Sequence, residues 1–344
     1  MELVAQTISG WPRLAWTASA SPGENRVVAR HGPAVEVRAD WLVEAAWAGT
    51  FAEGDFDRTD LVFGTGIRMR DGKAVFVSAG SSLDRLWYAR RQGTWHVANS
   101  LPALLAVLGE ELRDDYAGYT ADLESTVTGL DAAVRSIPTD SGEVRLEYFN
   151  NLLFDGESIE PVEKPDPAPR FEDFETYRDY LVASARALGA NLADPARRIS
   201  GTSLTTISQG YDAAAGAVIA REAGCAASVT FRKATSLWRG SDSGEEIARI
   251  LGLSCTAHDR TARRYPMEEA VWAVSGRPGT LNWTLFDYPE PLCLFFTGPY
   301  GDKVWARRRD WHYPGPFAAT TASHGGLAEL RLFRGIFHCP LPAW

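Results

Sequence analysis

Apolar and polar residues alternate in short runs along the first half of the chain, a pattern typical of half-buried β-strands. Two pairs of these runs are each separated by a turn dipeptide, Asp71-Gly72 in one pair and Gln92-Gly93 in the other. An Asp-Gly or similar dipeptide favours the tight turn of a hairpin, so the pattern predicts two β-hairpins. Their four strands and one further strand are predicted at 61–70, 73–79, 86–91, 94–98 and 144–153.

Helical spacing of apolar residues is found in three further segments. An apolar stretch at 101–108 follows Asn99-Ser100, and serine is a favoured residue at a helix N-cap. A second helix is predicted at 116–123. The longest helix is predicted at 171–192, where one face would be formed by Phe174, Tyr177, Leu181, Ala185 and Leu188.

Strand-like and helical segments alternate in the second half of the chain. The predicted strands are 204–207, 228–231, 254–257 and 292–297, and the predicted helices between them are 211–223 and 243–251. Such alternation predicts a doubly wound parallel α/β domain with ligands at the carboxyl ends of its strands. A proline-rich, charged linker is predicted at 156–170. The expected fold class is therefore a two-domain α/β protein, with a β-rich domain at 1–155 and the doubly wound domain at 171–344.

Composition and charge narrow the classes of function. The chain has 344 residues, of which 45% are hydrophobic, and this suits two domains. Its net charge of −9 argues against a nucleic-acid partner, because proteins that bind nucleic acid usually carry a basic excess. No apolar run approaches the ~20 residues that span a bilayer. The four cysteines show no metal-binding spacing, so we expect free thiols in a cytoplasmic protein without membrane contact.

The main candidate for chemistry is the turn Ser208-Gln209-Gly210, which follows a predicted strand and precedes an alanine-rich helix. A strand, a glycine turn and a helix N-terminus form an anion site, since the first helical N–H groups lack intrahelical partners and the helix dipole is positive there. Asp212 would repel an anion unless a divalent cation lay between them. The pattern therefore indicates a nucleoside triphosphate bound with Mg²⁺.

Three segments carry a family resemblance when taken in order. They are Gly129 to Thr139, the loop Ser208-Gln-Gly-Tyr-Asp-Ala, and Thr297-Gly-Pro-Tyr-Gly-Asp-Lys-Val-Trp. The first resembles the join between the two domains of the asparagine synthetase family, whose relatives include β-lactam synthetases and lasso-peptide cyclases. The second is similar to that family's pyrophosphate loop, Ser-Gly-Gly-x-Asp-Ser, and the third to its Ser-Gly-x-Gly-Ala-Asp-Glu-Leu-Phe segment.

The resemblance implies an N-terminal-nucleophile (Ntn) amidotransferase-like sandwich at 1–155 and an ATP pyrophosphatase domain after the linker. In that family ATP activates a carboxylate as an acyl-adenylate, and an amine then displaces AMP. Mg²⁺ would be bound by Asp212 and Asp302, and Tyr300 and Lys303 would be catalytic. The residues implied in ATP binding are Ser208, Gln209, Gly210, Tyr211, Asp212, Ala213 and Arg232. The substrate would be a small-molecule or peptide carboxylate, and a homodimer is left open.

Several residues depart from the family pattern. Glutamine-hydrolysing members carry a cysteine directly after the initiator methionine, but position 2 here is Glu2, so no glutaminase activity is expected. Gln209 replaces a glycine, Ala213 replaces a serine, and Lys303 replaces a glutamate beside the implied metal. The chain ends at Trp344, earlier than relatives with further C-terminal helices, so a truncated second domain is expected.

These departures leave two alternatives to a carbon–nitrogen ligase. One is a catalytically degenerate pseudoenzyme that binds a nucleotide or a partner protein. The other is a pyrophosphatase-loop enzyme that modifies a nucleobase or a tRNA, although the basic face and paired cysteines typical of that class are not evident in the sequence.

Overall fold

Two β-sheets packed face to face form the larger part of the structure. A computed structural model of the chain describes residues 1–81, 84–125, 133–164, 169–232, 235–236, 240–259 and 290–297. The first sheet contains, in spatial order, β1 (Glu2–Thr7), β3 (Arg26–His31), β2 (Trp16–Ala20), β9 (Thr94–Ala98), β8 (Leu86–Arg91), β11 (Gly142–Glu147) and β10 (Ser136–Thr139). Neighbouring strands are antiparallel except β1 and β3, which run parallel.

The second sheet is antiparallel throughout the described residues. In spatial order it contains β13 (Ile159–Val162), β12 (Asn151–Phe154), β7 (Lys73–Val77), β6 (Val62–Arg70), β5 (Trp41–Trp47) and β4 (Glu36–Val37). The strand β13 lies inside the segment that the sequence predicts as a linker.

The sandwich has an apolar interior and a further apolar cluster on the outer side of each sheet. Leu42 and Ile67 of the second sheet pack with Trp16 of the first sheet in the interior. On the outer side of the second sheet, Trp41 packs edge-on against Phe51, with ring centroids 5.4 Å apart. Alternate residues of a strand face opposite sides, so β5 is apolar at nearly every position because both of its faces are covered.

Both predicted hairpins are confirmed. The turn residues have the positive φ angles that the connecting turn requires: 52° at Asp71, 74° at Gly72, 48° at Gln92 and 85° at Gly93. Helix α1 (Leu101–Leu108) is also confirmed, and its N-cap Ser100 accepts a hydrogen bond from the N–H of Ala103 at 3.3 Å. Helix α2 (Tyr119–Glu124) begins three residues later than predicted.

The prediction of a single strand at 144–153 was wrong. The chain leaves the first sheet at the end of β11 and enters the second sheet at β12, and Phe149 between them has a φ of 65°. Tyr148 and Leu152 are both buried, so the apolar pattern continues across the crossing. The alternation of apolar and polar residues indicates which side chains are buried, but it does not identify the sheet in which a strand pairs.

The second half of the chain contains a smaller parallel sheet and three helices among its described residues. The sheet order is β18 (Ser254–His258), β15 (Ala227–Phe231), β14 (Gly201–Thr206) and β19 (Leu292–Phe296). All three neighbouring pairs are parallel. The helices are α3 (Phe174–Leu192), α4 (Tyr211–Glu222) and α5 (Glu245–Leu251), and a two-stranded ribbon is formed by β16 (Thr235–Ser236) and β17 (Gly240–Ser241).

The predicted fold class, a two-domain α/β protein with a doubly wound parallel domain, was wrong. Strand accounts for 39% and helix for 23% of the structure, and the dominant arrangement is the large antiparallel sandwich. The alternation of strand-like and helical segments after residue 200 correctly indicated parallel strands. It could not indicate how much of the chain forms antiparallel sheet.

The placement of the described helices also differs from that of a doubly wound sheet, which carries helices on both faces. Leu192 of α3 lies against Gly201, and Ala217 of α4 clusters with Ile207. Positions 201 and 207 share one side of the extended chain, so both helices lie on that side. The other side carries a cluster around Leu204 and Val229 that includes no residue of the described helices.

Helix α3 begins at Phe174 and ends at Leu192, and its predicted apolar face is only half buried. Ala185 and Leu188 are buried, whereas Phe174 is 67% exposed and Tyr177 is 39% exposed. The buried part attaches the helix to the sandwich, since Leu188 packs with Ala46 of β5. In the described part of the chain, no helix is both long and apolar enough to cross a membrane.

Candidate anion-binding site

The predicted binding loop, residues 208–210, lies at the carboxyl end of β14, between the ends of β15 and β19. Parallel strands present their carboxyl ends at one edge of a sheet, so the segments after these three strands converge there. The N–H of Ile207 donates to the carbonyl of Val229 at 3.0 Å, which extends the pairing with β15 up to the loop. Thus the order of strand, turn and helix that the sequence predicts here is confirmed.

The loop geometry suits an anion. Gly210 is the N-cap of α4 with φ −71° and ψ 143°, and it has no side chain with which to cap the helix. The N–H of Gly210 donates to Oγ of Ser208 at 3.1 Å, which closes the turn. The backbone N–H groups of the first helical turn therefore follow a residue without a Cβ, so no side chain of Gly210 shields them. A helix favours negative charge at this end.

Gln209 fits the loop without backbone strain. Positive φ angles among the described non-glycine residues occur at Asp71, Gln92 and Phe149, and not at Gln209. The replacement of the family's glycine by glutamine therefore does not require a left-handed backbone at this position.

The segment 242–244, which precedes α5, contacts the loop 208–210 and holds it in position. Ser243 pairs with Ser208 in an antiparallel bridge, and the N–H of Gln209 donates to the carbonyl of Asp242 at 3.4 Å. A Cβ on Gly244 would lie 2.6 Å from the carbonyl carbon of Ile207, so only glycine permits this approach. These contacts hold the loop in place before any ligand binds.

Of the other residues implied in ATP binding, three follow the loop directly in the chain, and the fourth lies at the end of a neighbouring strand. Tyr211, the first residue of α4, is 83% exposed. Asp212 and Ala213 follow it in the first turn. Arg232 follows β15, but its Nη2 donates to the carbonyl of Ala257 at 3.1 Å, so its guanidinium is directed towards β18.

The third family-like segment begins at Thr297, the last described residue, directly after β19. A Cβ on Gly216 of α4 would lie 3.6 Å from the Thr297 carbonyl oxygen, so α4 packs beside the end of β19. Tyr300, Asp302 and Lys303 lie outside the described residues, so the pairing of Asp212 with Asp302 on Mg²⁺ stays a prediction. Among the residues whose positions are described, no three His, Cys, Asp or Glu side chains group in a way that would hold a metal ion.

Sequence reasoning missed Glu44, which interrupts the apolar run of β5. Its Oε1 accepts hydrogen bonds from the N–H of Thr65 at 2.8 Å, from the Thr65 hydroxyl, and from Nδ2 of Asn99 at 3.3 Å. Burial and the nearby Asp84 carboxylate raise the pKa of Glu44 to about 8. A single carboxylate within an otherwise apolar strand is the signal in the sequence that could have identified it.

Neither a scan against protein-family models nor a search of curated proteins finds a match for this chain. The family resemblance therefore stays a prediction, and a functional assignment has to be argued from the site itself.

Proposed function

We propose that the chain is an ATP-dependent, AMP-forming ligase that activates a carboxylate as an acyl-adenylate and joins it to an amine. The observation that carries the proposal is the loop 208–210, placed between a parallel strand and the N-terminus of α4 with Gly210 as the N-cap. This is the arrangement in which a protein backbone binds the phosphates of a nucleotide.

Each part of the loop has a role in this reaction. The first-turn N–H groups of α4 bind the β- and γ-phosphates and stabilise the pyrophosphate that leaves when the carboxylate attacks the α-phosphate. Gly210 lets the phosphates approach the backbone closely. Asp212 supplies a carboxylate oxygen of the type that Mg²⁺ prefers, and the ion, when bound, neutralises charge on the leaving group.

The amine does not come from glutamine hydrolysed by this chain. The sequence contains no cysteine before Cys225, so the β-rich half has no thiol to serve as a glutaminase nucleophile. In this proposal the amine lies within the substrate or comes from elsewhere.

Calorimetric titration with an ATP analogue that resists cleavage, with and without Mg²⁺, tests the nucleotide site. Replacing Gly210 by alanine adds a methyl group 3.2 Å from Oγ of Ser208, at a residue whose φ of −71° tolerates it. We expect G210A to weaken binding by about tenfold, equivalent to about 1.4 kcal/mol. Gly216→Ala, in the same helix and away from the loop, is the matched control and should bind as the wild type does.

Release of pyrophosphate and AMP across a panel of carboxylates and amines tests the ligase reaction. Asp212→Asn should remove the Mg²⁺ dependence of binding and abolish pyrophosphate release. An absence of nucleotide binding in both conditions, or equal binding by the wild type and G210A, would rule out this site.

A second candidate is a protein that binds the nucleotide without turning it over. It is favoured by the absence of a hydroxyl at Ala213 and by the contact of Arg232 with Ala257, which directs that guanidinium away from the loop. This candidate predicts Mg²⁺-dependent binding that G210A weakens, together with no pyrophosphate release from any substrate pair.

A further inference from the structure

In the described part of the chain, the first strand, β1, has an outer edge to which no other strand is hydrogen-bonded. The strand lies at one end of the first sheet and pairs there with β3 alone. The N–H groups of Glu2 and Ile8 donate to carbonyl oxygens of the β3 segment at 2.9 and 2.8 Å. The backbone groups of successive residues point to opposite sides of a strand, so the N–H and C=O groups of Leu3, Ala5 and Thr7 point away from the sheet.

The other edges of the two sheets, as described, carry features that prevent strand addition. Strand β10 contains Pro138, β13 contains Pro161, and β4 is only two residues long. Proline, charged side chains and short length are the usual means by which proteins protect a strand edge. Strand β1 is six residues long, and the run from Leu3 to Thr7 contains no proline and no charged residue. Its edge can therefore accept another strand.

The strand is held in place before any partner binds. Leu3 and Met1 pack against the apolar interior of the sandwich. The Thr7 hydroxyl lies 3.3 Å from Nε2 of His31. Ala5, between these contacts, is exposed. The edge is thus a preformed, accessible template, and pairing with it requires little further ordering of this chain.

We propose that β1 pairs with β1 of a second copy of the chain, antiparallel about a twofold axis at Ala5, so that the two first sheets form one continuous sheet. In this register Ala5 is opposite its own counterpart, and Leu3 is opposite Thr7 of the second copy. The residues of each pair exchange two backbone hydrogen bonds, because both direct their N–H and C=O groups to this edge. The exchange is symmetric, as a closed dimer requires.

The side chains of β1 suit this antiparallel register. Val4 is opposite Gln6 of the second copy, and the small Ala5 is at the centre, on the axis. Glu2, the charged residue of β1, is opposite Ile8, which follows the strand. Like charges therefore do not meet along the paired edge, where they would oppose association. The strand is self-complementary, and this favours a second copy as its partner.

Sedimentation equilibrium of the full chain tests the dimer. We expect a reversible monomer–dimer equilibrium at up to about 0.5 mM protein in about 0.15 M salt, which screens the repulsion between copies of net charge −9. Ala5→Pro removes an N–H that points away from β3, so the pairing within one chain is retained. It should weaken the dimer by about thirtyfold, since the twofold axis removes two hydrogen bonds at once. Ala5→Val keeps the N–H and is the matched control, with association as in the wild type.

A charge exchange at the exposed position 5 tests the register independently of Ala5→Pro. Ala5→Lys and Ala5→Glu should each weaken the dimer by about fivefold, because like charges would be directly opposite one another across the axis. An equimolar mixture of the two variants should restore association, since each lysine is then opposite a glutamate. A monomeric wild type, equal association of Ala5→Pro and the wild type, or no gain in association on mixing would overturn the proposal.

Discussion

Nδ2 of Asn191, near the end of helix α3, donates to the carbonyl oxygen of Gly49 at 2.8 Å. Its Oδ1 accepts from the N–H of Trp47 at 3.3 Å and from Nη2 of Arg197 at 2.5 Å. The same Nη2 donates to the carbonyl of Ala45, and burial lowers the pKa of Arg197 to about 10. One buried amide therefore joins the helix to the sandwich and also orients a largely desolvated cation.

Replacing Asn191 by leucine should destabilise the protein strongly. The change leaves the Gly49 carbonyl and the Trp47 N–H without this partner and removes an acceptor from Arg197, at an expected cost of about 3 kcal/mol. Urea unfolding measures the loss. The exposed Asn25→Ala should change stability by less than about 0.5 kcal/mol, and an equally small effect at Asn191 would contradict this account.

Glu36 forms the second attachment between the halves. The residue is 1% exposed. Its carboxylate accepts from the N–H groups of Arg198 and Ile199 at 3.0 and 2.9 Å, and it pairs with Arg38 at 2.7 Å. We expect Glu36→Ala to cost about 3 kcal/mol, because these donors lose a shared acceptor. Glu36→Gln keeps one acceptor oxygen and should lose clearly less. Equal losses in the two variants would argue against a role for the hydrogen bonds.

Stability should fall as the pH rises from about 4.5 to about 8, because of Glu44. The pKa of this residue is raised from 4.5 to about 8 by folding, so the native state keeps a proton that the unfolded chain has already released in this range. The contribution is fully present below pH 4.5 and lost above pH 8, with a slope of at most about 1.4 kcal/mol per pH unit. Thermal denaturation of the wild type and of Glu44→Gln across this range measures it, and parallel curves for the two proteins would contradict the assignment.

Two glycines of one helical segment should respond to alanine in opposite directions. Gly216 is inside α4, and its new methyl would be 3.6 Å from the Thr297 carbonyl oxygen, an ordinary contact. Gly216→Ala should stabilise the protein by about 0.5–1 kcal/mol through helix propensity. Gly224, after the C-cap Ala223, has a φ of 77°, so Gly224→Ala should cost about 1–2 kcal/mol although the space around it is open. Chemical denaturation checks the pair, and effects of the same sign would refute the argument from backbone geometry.

The candidate site could be predicted from the sequence only in its local part. The order of β14, the loop and α4 followed from a β-rich run, a glycine turn and an alanine-rich stretch, each a signal within a few residues. The bridge of Ser208 to Ser243 joins residues 35 positions apart, and no local pattern indicates it. For the same reason, Arg232 was predicted from the sequence to bind ATP, whereas in the structure its guanidinium donates to the carbonyl of Ala257.

The sequence by itself determined the elements whose energetics are local. The Asp71-Gly72 and Gln92-Gly93 turns form because these residues accept positive φ, and α1 begins directly after Ser100 because the serine oxygen accepts the otherwise unpaired N–H of Ala103. Only the tertiary structure decided the separation of β11 from β12 into different sheets, the side of the parallel sheet on which the helices lie, and the hydrogen bonds of Glu44 with Thr65 and Asn99. These features depend on contacts between distant segments, whose free energy comes from burial and pairing that short-range periodicity does not record.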